Sequence, residues 1–355
     1  MPFDRCSTMF GTRPKISIVI KALNEERHIA AAIESAIAAL AGMQGEIILA
    51  DSASTDRTVE IAANYPIKIV SLIDVADRSC GAGVQLGYQY SSGDFICLLD
   101  GDMRLHREFI PAAIAFLQAR PQFAGVGGTI VERETGNFEY VKRASAQDID
   151  RLPGEVTRLD CGGVYRREAI EAAGYLGDRN LHGSEELELG VRLRALGWKL
   201  ARIAAPAIDH HGHSGNPYRL LLRRWTTGFA FSTGEILRAT FGQRAFWLAL
   251  RKLRWELFLF AAVHAWWLAL LAVPALAGGP ASAAAAFAGL ALLPFAAMSA
   301  RCRSVGLGFY SVMAWNVYAA GLWPGLFRRR LDPAGWIESR VICDASPREN
   351  WVSAA

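Results

Sequence analysis

The chain has 355 residues, enough for about two structural units, one of them able to bury a sizeable core. Hydrophobic residues make up 52% and charged residues 20%, with a mean hydropathy of +0.18, which excludes a disordered chain and weighs against a wholly water-soluble one. The net charge is only +4, but residues 219–330 hold 13 Arg/Lys against Glu235 and Glu256, a local +11, so the remainder sums to −7. A basic, apolar third beside a mildly acidic remainder fits attachment to a membrane surface and excludes nucleic acid as the expected partner.

In chain order, the first fifteen residues carry Asp4, Arg5, Arg13 and Lys15 and no sustained apolar run, so no cleavable signal peptide is expected. Short β-rich runs then alternate with helical patterns: ISIVI (16–20), a helix over about 25–40, EIILA (46–50), a helix over 55–64, and IKIVSLI (67–73). A helix near 82–91, DFICLL (94–99), a helix near 108–119 and FAGVGGTIV (123–131) continue the series. Asn24, Ser54 or Thr55, and Ser184 precede helical patterns and are the expected N-caps. After a polar stretch to about 157 come CGGVYRREAIEAAG, the helical SEELELGVRLRALG and the strand-like KLARIAA (199–205). The expected fold class is α/β, a mainly parallel sheet flanked by helices, occupying 15–218 after an N-terminal tail of 1–14.

Residues 219–256 read as basic interfacial helices, and 257–300 contain no Asp, Glu, Lys or Arg. Gly278-Gly279-Pro280 divides that run into two spans, about 257–277 and 281–300, each long enough to cross roughly 30 Å of hydrocarbon. A third uncharged run, 304–327, either crosses as well or stays re-entrant, and 328–355 is expected as a tail. Arg251, Lys252, Arg254, Arg301 and Arg303 flank the hairpin on one side, which places the α/β domain in the cytosol on a cytoplasmic (inner) membrane. A crossing third run would carry Arg328, Arg329 and Arg330 to the far side, against that tendency.

In an open parallel sheet the ligand lies beyond the carboxyl ends of the strands, and here those ends are acidic. ISIVI leads into KALNEE, EIILA into Asp51, and DFICLL into Asp100-Gly101-Asp102. Asp100 and Asp102 alternate with a glycine, so their carboxylates face one way, and their hard oxygens suit Mg²⁺ or Mn²⁺ with positions left for diphosphate. Asp209-His210-His211-Gly212-His213 has the composition of a transition-metal cluster, but adjacent histidines diverge in an extended chain and no second pair has zinc spacing. Six scattered cysteines without a C-x-x-C pair fit reduced thiols.

Through Asn24-Glu25, DSASTD, GAGVQLGYQYSSGD running into the DGD, and SEELELGVRLRALG, residues 15–214 resemble a family-2 glycosyltransferase of the GT-A fold. The resemblance implies a metal-dependent, hexosyltransferase-like enzyme with a nucleotide-diphosphate sugar donor. Asp51 would help hold the base, Asp100 would lie near the ribose and donor sugar, and Asp102 would bind the metal with Asp100. Asn24, Glu25 and Arg78 are expected as further nucleotide-sugar contacts. Glu185-Glu186 matches the family's E-D pair, which makes Glu186 the expected general base, Glu185 its stand-in, and inversion the expected outcome. His211 or His213 would complete the metal or diphosphate site. Arg223-Arg224-Trp225 is similar to the Q-x-x-R-W element of processive synthases, with Arg224 for diphosphate and Trp225 for a sugar face, although Leu221 stands at the glutamine position. Ser52, Ala53 and Gln85 also depart from the family pattern.

The expected activity is transfer of a sugar to a membrane-presented saccharide or lipid-linked acceptor, as in cell-envelope polysaccharide assembly. Two rivals stand beside it. One is a non-catalytic membrane scaffold with a degenerate transferase domain. The other is a dinucleotide oxidoreductase, from Gly81, Gly83 and Gly87 with Asp100 seventeen residues past the second glycine, although seven residues separate those glycines from the preceding strand.

Overall fold

The computed structural model describes residues 15–133, 149–212 and 215–344. Ten strands form one sheet: β1 (Ile16–Ala22), β2 (Gly45–Asp51), β3 (Lys68–Leu72), β4 (Phe95–Asp100), β5 (Met103–Leu105), β6 (Phe123–Glu132), β7 (Gly154–Val156), β8 (Val164–Arg166), β9 (Lys199–His210) and β10 (Ser339–Asp344). Their order is β10-β3-β2-β1-β4-β8-β6-β9-β5, with β7 on β9. β3, β2, β1 and β4 pair in parallel, as does β6 with β9, while β8, β5, β7 and β10 join antiparallel, so the sheet is mixed.

Helices α1 (Ile29–Leu40), α2 (Thr58–Ala62), α3 (Cys80–Gln89), α4 (Phe109–Ala119), α5 (Arg167–Ala173) and α6 (Glu185–Ala195) cover the sheet. Ile16, Ile18, Val19 and Ile20 of β1 are all buried, as a strand covered on both faces requires. The expected caps are not the observed ones. α1 starts at His28 and α2 at Arg57 without a side-chain cap, and Ser184 precedes α6 at φ +59° without capping it. Asn24 instead joins two loops, its backbone N–H donating to Ser54 Oγ and its Oδ1 accepting from Thr55 N at 2.8 Å. Gly81, Gly83 and Gly87 lie inside α3, where they pack against neighbouring chain instead of forming the strand-to-helix turn that a dinucleotide site needs.

The remaining helices are α7 (Pro217–Thr226), α8 (Ser232–Thr240), α9 (Arg244–Leu276), α10 (Pro280–Cys302) and α11 (Val305–Phe327). Ala245, Ala249 and Leu253, one stripe at four-residue spacing, pack on Leu181, Leu187 and Val191, so the charged first part of α9 is anchored to the α/β domain. The rest of α9 and all of α10 form a hairpin, and both helices are long and apolar enough to cross a membrane.

The third apolar run behaves differently from the hairpin. Tyr310 and Ala314 of α11 pack on Leu221 of α7, and Ala319 on Phe260 and Val263 of α9. A Cβ at Gly321 would lie 2.3 Å from the Ala230 carbonyl and one at Gly325 2.2 Å from that of Phe231, so the missing side chains let α11 lie on this turn. Arg328 then sits 3.6 Å from Glu235, and Arg330 pairs with Asp178 at 2.7 Å. Arg328 and Arg330 therefore lie beside acids of the folded protein, Glu235 of α8 and Asp178 of the α/β domain.

The segment expected as a C-terminal tail is structured as far as Asp344. Leu331 exchanges hydrogen bonds with the Asn180 side chain, Ile337 enters a core with Ile48, Val70 and Leu86, and β10 closes the β3 edge.

Candidate active site

A cleft of about 890 Å³ opens beyond the carboxyl ends of β1 and β4. Its floor carries Lys21, Asp100 and Asp102, one wall the start of α6 with Glu185 and Glu186, and the opposite rim Arg223 and Arg224 of α7. Lys21 and Asp100 are register partners on β1 and β4, and Lys21 Nζ lies 3.2 Å from Asp100 Oδ1. The same ammonium is in close contact with Glu185 and lies 3.9 Å from Glu186 Oε1. The Cys161 thiol donates to Asp100 Oδ1 at 3.0 Å.

This density of acid sets the protonation pattern. Burial works against the Lys21 ammonium, but Asp100, Glu185 and Glu186 outweigh it and hold its pKa well above the ordinary lysine value. Burial, then Glu185 and Asp100, push Glu186 up to about 8 against the pull of Lys21. Glu25 is also raised to about 8, by burial and by the charges of Asp102 and Asp100. Its approach depends on Gly101, where a Cβ would lie 2.9 Å from Glu25 Cγ. Glu25, expected on the nucleotide, thus stands with the two aspartates.

The histidine that meets Asp102 is His210. Its Nε2 is 3.4 Å from Asp102 Oδ2 and its Nδ1 bonds Glu132. Burial disfavours its charge, but these two carboxylates raise it to about 9. His211, one residue on, donates its backbone N–H to the Asp102 carbonyl and stacks on His28 with ring centroids 5.8 Å apart. Its pKa is lowered by burial, Arg104 and His28. His213 lies outside the described residues.

Asp51 is buried. Its carboxylate accepts from Ser54 N at 3.1 and 3.2 Å and from Ser71 Oγ at 2.6 Å, so it fixes the loop whose next residue, Ser52, lines the cleft. Arg78 lines the same side, with Nε donating to the Ser52 carbonyl at 2.8 Å and a second nitrogen to that of Ala53. Asn24 serves the loop junction described above. Arg224 donates to Tyr318 Oη at 2.6 Å and covers the Phe229 ring, while Trp225 packs edge-on against Phe231. The cleft therefore brings together Glu25, Arg78, Asp100, Asp102, Glu185, Glu186 and Arg224.

Sequence reasoning missed Lys21, His210 and His182. His182 lines the cleft, with Nδ1 2.9 Å from the buried Glu235. A lysine ending an otherwise apolar strand was the one available signal for the first.

A mixed α/β sheet with flanking helices, an acidic cleft at the strand ends and an apolar helical annex is a GT-A-like architecture. The model of glycosyl transferase family 2 matches residues 17–174. Over 167 residues it is 29% identical to an undecaprenyl-phosphate 4-deoxy-4-formamido-L-arabinose transferase of Pectobacterium carotovorum, covering 44% of this chain and 50% of that one. It is 36% identical over 108 residues to a low-salt glycan biosynthesis hexosyltransferase of Haloferax volcanii, covering 30% and 25%. The chain thus spans half the length, or less, of these curated relatives. A mannosyltransferase from Pyrobaculum calidifontis, solved with GDP-Man and Mn²⁺, superposes with a TM-score of 0.61 at 16% identity, over 90% of this chain and 89% of that one. The shared fold is GT-A.

Proposed function

We propose that the protein is an inverting glycosyltransferase that moves a sugar from a nucleotide-diphosphate donor to a saccharide or lipid-linked acceptor presented at a membrane. The observation that carries this reading is the placing of Asp100 and Asp102 on the floor, and Glu186 on the wall, of one cleft. Arg78 and Ser52 border the side assigned to the nucleotide, and Arg224 the side assigned to the diphosphate.

Asp102 and Asp100 offer hard oxygens that suit Mg²⁺ or Mn²⁺, with Glu25 beside them, raised by burial and then by their charges. Among the described residues no group of three or more His, Cys, Asp or Glu is arranged to hold a metal ion. Such an ion, when bound, would neutralise charge on the departing nucleotide. Glu186, once deprotonated, takes the proton of the acceptor hydroxyl, and attack opposite the leaving group inverts the anomeric centre. Membrane attachment through α9 and α10, with the cleft on the cytosolic side of the inner membrane, draws on their length and apolarity and on the flanking arginines. The acceptor class draws on the lipid-phosphate named for the Pectobacterium relative.

Thermal-shift screening of nucleoside diphosphates with and without Mn²⁺, followed by release assays on the matching nucleotide sugars, tests the reading. One nucleotide should stabilise the protein in a Mn²⁺-dependent way, and Asp102→Asn should abolish that dependence. Background release from every common donor, with Asp102→Asn indifferent, would favour the non-catalytic scaffold.

A further inference from the structure

Building on the glycosyltransferase reading, we propose that Lys21 is a positioning residue that sorts the two adjacent glutamates: it takes Glu185 as a fixed partner, ties it to Asp100 on the donor side, and leaves Glu186 to the acceptor hydroxyl. Lys21 is the penultimate residue of β1, directly after the buried Ile18, Val19 and Ile20, and its register pairing with Asp100 turns both side chains to the same side of the sheet. The ammonium is thus delivered by two central strands and held between Asp100 at 3.2 Å and Glu185.

Glu185 and Glu186 are consecutive in the first turn of α6, and successive helical residues point about 100° apart. One cation cannot engage both equally. The helix N-terminus favours a carboxylate at either position and does not choose between them. Lys21 supplies the choice. Glu185 is in contact and only 5% exposed, whereas Glu186 stays at 3.9 Å with 17% of its side chain open to the cleft. Without the ammonium, Asp100, Glu185 and Glu186 would be three carboxylates with no cation between them, and the first turn of α6 would lose the contact that fixes its direction.

The test measures kcat and donor KM on the full-length protein for Lys21→Met, Lys21→Arg, Glu185→Gln and the Lys21→Met/Glu185→Gln double variant, with melting temperatures alongside. Lys21→Met should lower kcat about 100-fold with donor KM within about fivefold, and Lys21→Arg should restore at least about a tenth of the activity. The double variant, which removes the orphaned carboxylate together with its partner, should exceed Lys21→Met by about tenfold. A lysine that only supports the fold would lower the melting temperature and leave this rescue absent. Unchanged kcat in Lys21→Met, a loss confined to KM, or a double variant no better than Lys21→Met overturns the assignment. If Lys21→Met does not fold, Glu185→Gln decides: Lys21 then turns to Glu186 and kcat falls, and an unchanged kcat overturns the assignment. Wild-type protein inert toward every nucleotide sugar sinks the functional reading itself, whereas active wild type with an indifferent Lys21→Met sinks only the role of Lys21.

Discussion

His210 Nε2 lies 3.4 Å from Oδ2 of Asp102, and the other ring nitrogen is bound by Glu132. The imidazole is raised from 6.5 to about 9, so the folded state holds its proton more tightly than the unfolded state. The contribution to stability is fully present below pH 6.5 and is lost as pH rises through about 9. At 1.36 kcal/mol per unit it amounts to about 3 kcal/mol. His210→Asn should therefore lower the melting temperature strongly at pH 6 and little at pH 9.5 in buffer free of divalent cations. Equal losses at both values would show that the charge of His210 is not what stabilises this corner.

Glu186 is raised as well, and there the shift bears on the rate. With its pKa pushed to about 8, it is largely protonated at pH 7, and a general base must be deprotonated. The transfer rate should rise with pH and level off above about 8. Glu186→Gln should lower kcat by about 10²- to 10⁴-fold and remove that limb. The same shift costs stability as pH rises from the ordinary carboxylate range through about 8, so Glu186→Gln should be more stable than wild type at pH 9. A rate profile flat from pH 6 to 9 counts against Glu186 as the base.

The strand runs and the acids at their ends were legible because a sheet buried on both faces leaves near-continuous apolar stretches and puts its polar residues where those stretches stop. Glu186, in the first turn of α6, is expected from the family resemblance, whereas Asp100 and Asp102 follow from that rule. Which histidine meets Asp102 does not, because it depends on where β9 ends and how it pairs. Met103 stands opposite His210 across the β5–β9 ladder, and that register gives the contact to His210, with His211 turned onto His28. Lys21 reads in the sequence as the polar end of a strand, and only the pairing with β4 reveals its partner. Asp51 ends β2 as expected, and its partners, Ser71 and the Ser54 amide, could not be read from the sequence.

The return of the chain from α11 to the sheet rests on Arg330 and Asp178, 2.7 Å apart, with the Asp178 carboxylate fully buried. Asp178 also accepts from the backbone N–H and the side chain of Asn180, the residue that holds Leu331. Arg330→Ala leaves a buried carboxylate short of its counter-charge and should cost about 2 kcal/mol, below the usual figure for a buried pair because the arginine is partly exposed. Adding Asp178→Asn should recover part of the loss in a denaturant titration. Additive losses in the double variant would place the stabilising contact elsewhere.

The α9–α10 hairpin turns large apolar side chains outward with no protein against them: Leu268 is 66% and Leu292 64% exposed. Both lie near the middle of the uncharged stretches, and the Trp266 indole N–H donates to the Leu290 carbonyl at 2.9 Å, so the two helices are held level at that point. In water such a surface would drive aggregation, whereas in hydrocarbon it is satisfied. An arginine at the centre of a spanning helix costs about 3 kcal/mol, so Leu268→Arg/Leu292→Arg opposes insertion by about 6 kcal/mol. The double variant should leave the carbonate-resistant membrane fraction. Its nucleotide-dependent thermal shift should survive, because the cleft is built from the sheet, the start of α6 and the anchored first part of α9. A double variant that still pellets with membranes would show that the hairpin is not the anchor and would move that task to the basic helices around Arg219 and Arg244.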